Sequence, residues 1–244
     1  MSSRTRSMAH AGWETRLLLR NGEQLLLTFV IPVGLLLVLT MTTVFSPSAG
    51  ADKVPTALAT VLAVSVLSAA FTSLAIATGF GRRSGALRFL GTTPLTRTEL
   101  LIGKGSATAV VTAASAVVVC IVAIAVGWRP TISALWILPV LLLGTASCAA
   151  WGMALAGLLR AEAVLAVANG IFLVLLMFGG VVIPAASLPA PLSTLAPLLP
   201  SGALVDAFTA PLVDGSAPPL SAALVLVAWL TVGTVVSGRT FRWS

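Results

Sequence analysis

Few residues in this sequence could carry catalytic or metal chemistry. Its single histidine is His10, near the N-terminus, and its two cysteines, Cys120 and Cys148, lie inside apolar runs without metal-ligand spacing. A histidine metal cluster or a Ser-His-Asp triad within those runs is therefore excluded. We predict no catalytic residue, no metal site and no cofactor-binding residue in this chain.

The closest approach to a nucleotide-binding motif is the dipeptide Gly103-Lys104. A phosphate loop follows G-x-x-x-x-G-K-[ST], but Lys104 precedes Gly105, and position 98 is Thr98 rather than glycine. We therefore expect no ATP site in the chain itself.

Carboxylates are also missing from the long apolar runs, since Asp52, Asp206 and Asp214 fall between them. Transporters driven by protons or sodium commonly place ionisable side chains at the middle of the membrane. If this protein transports a cargo, we expect the energy to come from a partner subunit.

The apolar runs predict an all-α membrane protein. The chain is 58% hydrophobic and only 9% charged, whereas a soluble domain has about 25% charged residues. Uncharged stretches of about 20 residues are long enough to cross a bilayer as helices. We predict a single domain over 1–244, with a membrane region 25–238 that contains six transmembrane helices, at 25–45, 55–80, 105–127, 132–157, 163–183 and 217–238.

The distribution of Lys and Arg predicts the orientation. With a cytoplasmic N-terminus, twelve of the 14 Lys and Arg residues fall inside, and only Lys53 and Arg129 fall outside. The segment 1–24 and the tail 239–244 are then both cytoplasmic. The net charge of +7 does not indicate a nucleic-acid partner, because the basic residues are spread over short loops.

Prolines interrupt the uncharged stretch that follows the fifth predicted span. Each proline removes a backbone donor and resists a straight helix. We predict that 184–212 forms an extracellular broken or re-entrant helical hairpin between spans five and six, packed on protein. Its candidate residues are Pro184, Pro189, Pro200 and Asp206.

The stretch 13–24 mixes Trp13 and leucines with Glu14 and arginines, which is typical of a helix lying in the membrane interface. The alternative is a charged flank that only anchors the first span.

The loop from Gly81 to Lys104 holds a short basic segment. Ser84 is placed to cap a short helix, and Thr96 with Glu99 forms a capping-box pattern that would begin the next helix. Exposed apolar side chains among arginines favour a docking surface. The alternative is a topology-setting loop whose apolar side chains enter the lipid headgroups.

Only mild polar groups remain in the spans, and such residues usually join helices through hydrogen bonds. The alternative is a weakly polar wall for an amphipathic cargo. These residues are Thr28, Thr40, Thr42, Ser65, Ser68, Thr72, Ser73, Thr112, Ser115, Ser147 and Asn169. Candidate residues for such a path are Phe29, Thr40, Asn169, Phe172 and Met177.

These features together resemble the ABC-2 permease family, which includes bacterial drug, antibiotic and lipid exporters, over nearly the whole chain. The most specific element is the loop with Arg82-Arg83-Ser84-Gly85, Leu87-Arg88-Phe89-Leu90, Thr93-Pro94-Leu95, Glu99-Leu100 and Gly103-Lys104. The flanking elements are Glu14 to Arg20-Asn21 before a span with Pro32, and the proline-rich stretch from Ile183-Pro184 to Asp206-Ala207. The chain departs from the family at Gly81, where members commonly carry an acidic residue.

The resemblance implies roles by position. Residues 82–95 would form a coupling helix seated on an ATPase subunit, with Arg82, Arg83, Ser84, Leu87, Arg88, Phe89, Leu90 and Pro94 as its coupling residues. Residues 13–24 would form the connecting helix, with Trp13, Glu14, Arg20 and Asn21. The hairpin would cap the extracellular exit.

The resemblance also implies partners and a location. Two ATPase subunits would bind ATP and Mg²⁺, and a second permease, identical or homologous, would pair across spans one and five in the membrane lipid. The expected function is the permease subunit of an ATP-driven exporter in the bacterial cytoplasmic membrane. The alternatives are a membrane assembly protein without transport and, disfavoured by the missing intramembrane charges, a secondary transporter.

Overall fold

The computed structural model describes residues 11–17, 20, 22, 26–42, 53–86, 89, 96–182 and 189–240. All regular structure in these ranges is helical, which confirms the all-α prediction. The helices are α1 (residues 11–17), α2 (a π-helical turn Leu26–Val30 and Ile31–Met41), α3 (Lys53–Arg83), α4 (Arg97–Ala125), α5 (Ile137–Leu158, after the 3-10 turn Ile132–Trp136), α6 (Ala161–Phe178), α7 (Ala190–Leu195), α8 (Pro200–Leu212) and α9 (Leu220–Thr240).

Five helices are long and apolar enough to cross a membrane, namely α3, α4, α5, α6 and α9. A sixth crossing is counted if the bent pair formed by α7 and α8 is one span. The first predicted span, 25–45, is described as α2 over 16 residues, from a 5-residue π turn and an 11-residue α-helix. At about 1.5 Å per residue the described part of α2 is shorter than the hydrocarbon core.

Two predicted spans were too short at the same end of the bundle. The second continues past residue 80 to Arg83, and the third begins at Arg97 rather than at 105. Hydropathy reports only the apolar part of a helix, whereas hydrogen bonding continues into its polar ends. We call this end, which carries Arg82, Lys104 and Arg160, the basic end.

Helix α3 is the central helix of the bundle. In its most apolar 18-residue window 61% of residues are buried, against 17% in α6 and 22% in α9. Leu58, Leu62 and Leu67 are fully enclosed. The helix widens into π-helical geometry over Leu67–Ser73, and such turns alter which backbone groups face a neighbour.

Helix α5 packs backbone to backbone on that π-helical segment. A Cβ placed on Gly152 would lie 2.7 Å from the carbonyl oxygen of Phe71 and 3.0 Å from that of Ala70. On its other side α5 packs against α9, where the Trp151 indole nitrogen donates to the main-chain oxygen of Trp229 at 2.9 Å. Small residues at such crossings let membrane helices approach closely.

The predicted hairpin is confirmed as a broken pair of helices. The axes of residues 190–198 and of α8 differ by 77°, and Pro200 is the first residue of α8. The main-chain oxygen of Leu198 at the bend accepts a hydrogen bond of 2.9 Å from the Trp229 indole. This contact satisfies a backbone group that irregular structure would otherwise leave unpaired. Pro189 immediately precedes α7, and Pro184 lies outside the described residues.

Candidate functional site

The Arg82 side chain caps the C-terminus of α5, which lies at the basic end. Its guanidinium donates to the main-chain oxygen of Gly157 at 3.0 Å and also to that of Leu159. The last carbonyl groups of a helix have no partner within the helix and carry partial negative charge, so a cation is favoured there. Arg82 therefore joins the ends of α3 and α5 inside this chain.

Arg83 makes a separate, exposed contact. It forms an ion pair with Glu162 in the first turn of α6, with side chains 61% and 62% exposed. Water screens such a pair strongly. The pair therefore contributes little to the stability of the fold.

The chain leaves α3 through a tight turn. Ser84 ends α3, and its hydroxyl donates back to the main-chain oxygen of Gly81 at 3.1 Å. The prediction that Ser84 caps the following helix was wrong. Gly85 takes that place, because its φ of +79° reverses the chain and its carbonyl accepts from the Phe89 amide at 3.0 Å.

The residues that follow present an apolar side chain at the basic end. Phe89 is helical and 74% exposed. Arg82 and Arg83 belong to α3 rather than to a separate coupling helix. The other predicted coupling residues, Leu87, Arg88, Leu90 and Pro94, lie outside the described residues.

The predicted capping box of α4 is confirmed. The Thr96 amide donates to the Glu99 carboxylate at 2.8 Å, and the Glu99 amide donates to the Thr96 hydroxyl at 3.2 Å. Both contacts satisfy backbone donors that the first turn of a helix leaves unpaired.

We expect Thr96→Ala to destabilise the start of α4 by about 1 kcal/mol, because the alanine side chain accepts no hydrogen bond from position 99. Faster amide hydrogen exchange at residues 97–100, with unchanged exchange in α9, would show this. Equal exchange in the variant and the parent protein would contradict a stabilising role of the cap.

Helix α1 is attached to the start of α4. The Lys104 ammonium and the Glu14 carboxylate lie 2.7 Å apart, and their side chains are 13% and 12% exposed. Trp13, on the same helix, is 54% exposed. Of the predicted helix over 13–24, residues 13–17, 20 and 22 are described and helical, and Asn21 lies outside the described residues.

A cavity lined by hydroxyl groups lies among α2, α3, α4 and α6, and we call it the middle cavity. Its volume is about 400 Å³. The polar residues on its wall are Thr28, Ser65, Ser68, Thr72, Ser73, Thr112, Ser115 and Asn169. One of them also holds helices together, since the Ser115 hydroxyl donates to the main-chain oxygen of Thr28 at 2.5 Å.

Two further cavities adjoin the middle cavity. The basal cavity, of about 50 Å³, shares Thr28 and Thr112 with it and reaches the Glu14–Lys104 pair. The hairpin cavity, of about 460 Å³, shares Leu35 and Val64 with it and reaches α8. The three cavities follow one another from the basic end to the hairpin, and α3 lines each of them.

Only some of the residues predicted to line a cargo path lie on the wall of the middle cavity. Asn169 and Phe172 line the middle cavity. Asp206, which was predicted as a residue of the hairpin and not of the path, lines the hairpin cavity. Phe29, Thr40 and Met177 line none of the three cavities. The hydroxyls of α3 and α4 that complete the wall were recognised only as mild polar groups. Their signal was a clustering at helical spacing, as in Ser65, Ser68 and Thr72.

Comparison with known proteins identifies the family. No curated protein matches the chain closely enough to count as a relative. The family model described as ABC-2 type transporter matches residues 9–213, which include helices α1 to α8. The match covers most of the 244 residues, so this chain belongs to the ABC-2 type transporter family and is a multi-pass membrane protein.

Proposed function

We propose that this chain is the permease subunit of an ATP-driven exporter. It moves an amphipathic or hydrophobic cargo, such as a drug, an antibiotic or a lipid, out across the bacterial cytoplasmic membrane. The observation that carries this proposal is the position of α3, which lines all three cavities and ends six residues before the exposed Phe89.

The basic end faces the cytoplasm in this proposal and receives the ATPase. Closure of the ATPase dimer on ATP and Mg²⁺ displaces the segment that carries Phe89. Arg82 transmits the displacement, because its bonds to Gly157 and Leu159 join α3 to α5. The permease performs no covalent step; binding energy at one site drives a conformational change at another.

A second permease completes the pathway, and two ATPase subunits serve the pair. The partner, identical or homologous, packs across α2 and α6. The low burial of α6 supports this arrangement, because only 17% of its most apolar window is enclosed within one chain. Both termini and α1 lie on the cytoplasmic side, and the hairpin lies at the exit.

Phe89→Asp is expected to detach the ATPase and leave the permease inserted. Phe89 is 74% exposed, so the substitution removes an apolar contact and costs the fold little. Co-purification with the co-expressed P-loop ATPase is expected to fall at least about tenfold, as loss of an aromatic anchor worth about 2 kcal/mol at an interface would cause.

Ile132→Asp is the matched control, because Ile132 is 86% exposed and lies at the hairpin end. This variant is expected to retain the ATPase. Retention of the ATPase by Phe89→Asp would contradict the docking role. Labelling of a cysteine at position 89 from the periplasmic side would contradict the orientation.

A further inference from the structure

Two hydroxyls on the wall of the middle cavity have no partner among the described residues. The Thr72 and Thr112 side chains are 8% and 1% exposed, and neither hydroxyl oxygen makes a hydrogen bond there. A buried hydroxyl without a hydrogen-bond partner destabilises the fold, because it has lost its bonds to water. Polar groups in protein interiors are otherwise almost always paired.

Three other hydroxyls of the cavity, on Ser65, Ser68 and Ser115, already donate to main-chain oxygens. Ser65 donates to Val61 at 2.7 Å, and Ser68 donates to Ser65 at 3.2 Å. Each of these hydroxyl oxygens keeps lone pairs that can accept from a ligand. The cavity thus offers acceptors on one part of α3, and at Thr72 and Thr112 it offers hydroxyls able to donate and to accept.

The wall of the middle cavity carries no charged side chain among the described residues. In the adjoining cavities, Glu14 and Lys104 line the basal cavity and neutralise each other, and Asp206 lies on the wall of the hairpin cavity, outside the middle cavity. A charged group in the middle cavity would lose its hydration without gaining a counter-ion, which is strongly unfavourable. Leu35, Val64 and Phe172 supply apolar contact beside the hydroxyls.

We propose that the middle cavity binds an uncharged, hydrogen-bonding group of an amphipathic cargo, such as a polyol or sugar ring, through Thr72 and Thr112. The apolar part of the cargo lies against Leu35 and Val64, where the middle and hairpin cavities meet. The volume of about 400 Å³ falls within the usual range for small-molecule sites. This inference rests on the proposed function, since it names the class of cargo that the pathway accepts.

The test compares three photoreactive probes with the same ten-carbon diazirine chain and different head groups. The heads are glucoside, trimethylammonium and sulfate, and the full-length permease is embedded in lipid nanodiscs without an ATPase. Saturable labelling is read by peptide mass spectrometry at residues 31–35, 64–73 and 112–115, which contribute to the wall of the middle cavity. The glucoside probe is expected to label these peptides, and the two charged probes are expected to label them several-fold less.

Thr112→Val removes the hydroxyl and keeps the shape of the side chain. Saturable glucoside labelling is expected to fall about two- to tenfold, as loss of one hydrogen bond would cause. Thr112→Ser restores the hydroxyl and is expected to restore labelling. Thr145→Val is the matched control, because Thr145 is equally buried and unpartnered among the described residues but lines none of the three cavities.

Unchanged labelling in Thr112→Val would overturn the inference. So would equal labelling of these peptides by the trimethylammonium or sulfate probe, or labelling by the glucoside that never saturates. Binding here requires neither ATP nor the ATPase, so a failure of the exporter proposal leaves this result unaffected. Phe89→Asp is accordingly expected to keep full labelling.

Discussion

Gly152→Ala is expected to lower the stability of the protein by about 1–3 kcal/mol, the usual effect of overpacking a tight core. The added Cβ would lie 2.7 Å from the Phe71 carbonyl oxygen and 3.0 Å from that of Ala70. Both atoms are backbone of the π-helical segment of α3, so no side-chain rotation relieves the contact. Helix α5 must move away from α3, and Gly152→Val is expected to be worse.

Gly170→Ala is the matched control for this prediction. Gly170 lies inside α6, and a Cβ there has no heavy atom within 4 Å. Alanine is favoured over glycine by about 0.5–1 kcal/mol in a helix interior, so this variant is expected to be neutral or slightly stabilised. The measurement is the thermal unfolding midpoint of the purified permease in detergent. Equal midpoints for the two variants would contradict the close approach of α3 and α5.

Arg82→Ala is expected to have the largest effect at the basic end. The variant loses two charge-assisted contacts, to the main-chain oxygens of Gly157 and Leu159, and leaves the end of α5 without its cation. Hydrogen bonds to charged groups contribute about 1.5–3 kcal/mol. Amide exchange at residues 80–86 and 155–162 is expected to accelerate. Within the proposed function, ATP hydrolysis continues while transport falls.

Arg83→Ala serves as the comparison, because its ion pair with Glu162 is exposed on both sides. Because water screens this pair, its loss costs little free energy. Amide hydrogen exchange near residue 160 and transport are therefore expected to stay close to those of the parent protein. Arg82→Lys separates charge from geometry, since an ammonium does not reproduce the planar fork that reaches both oxygens. An Arg82→Ala protein with unchanged exchange and full transport would refute the role of this contact.

Local signals in the sequence predicted several features correctly. The apolar runs predicted an all-α membrane protein, because a bilayer requires helices that satisfy their own backbone groups. Thr96 and Glu99 predicted the start of α4, because a capping box depends on residues only three positions apart. The prolines of 184–212 predicted a broken hairpin, because each one removes a backbone donor.

Two expectations at the basic end were not met, one for a local reason and one because of a contact between distant residues. Serine is favoured at the N-cap of a helix, which is why Ser84 was predicted to cap the next one. The φ of +79° at Gly85 turns the chain there, so the next helix starts one residue later than predicted. Arg82 was predicted to face a partner, but it reaches carbonyl groups more than 70 positions away. Nothing near residue 82 in the chain indicates that the end of α5 lies beside it.

The sequence by itself determined three features: the chain crosses a membrane as helices, α4 begins at the capping box, and the stretch after α6 is broken. Hydropathy, capping and proline decide these features because each acts within a few residues. Only the tertiary structure decided that Thr72 of α3 and Thr112 of α4 face one cavity, and that Gly152 touches the backbone of α3. A cavity and a helix crossing depend on how separate helices rotate and pack. Many rotations satisfy the same apolar pattern, and side-chain shape selects among them.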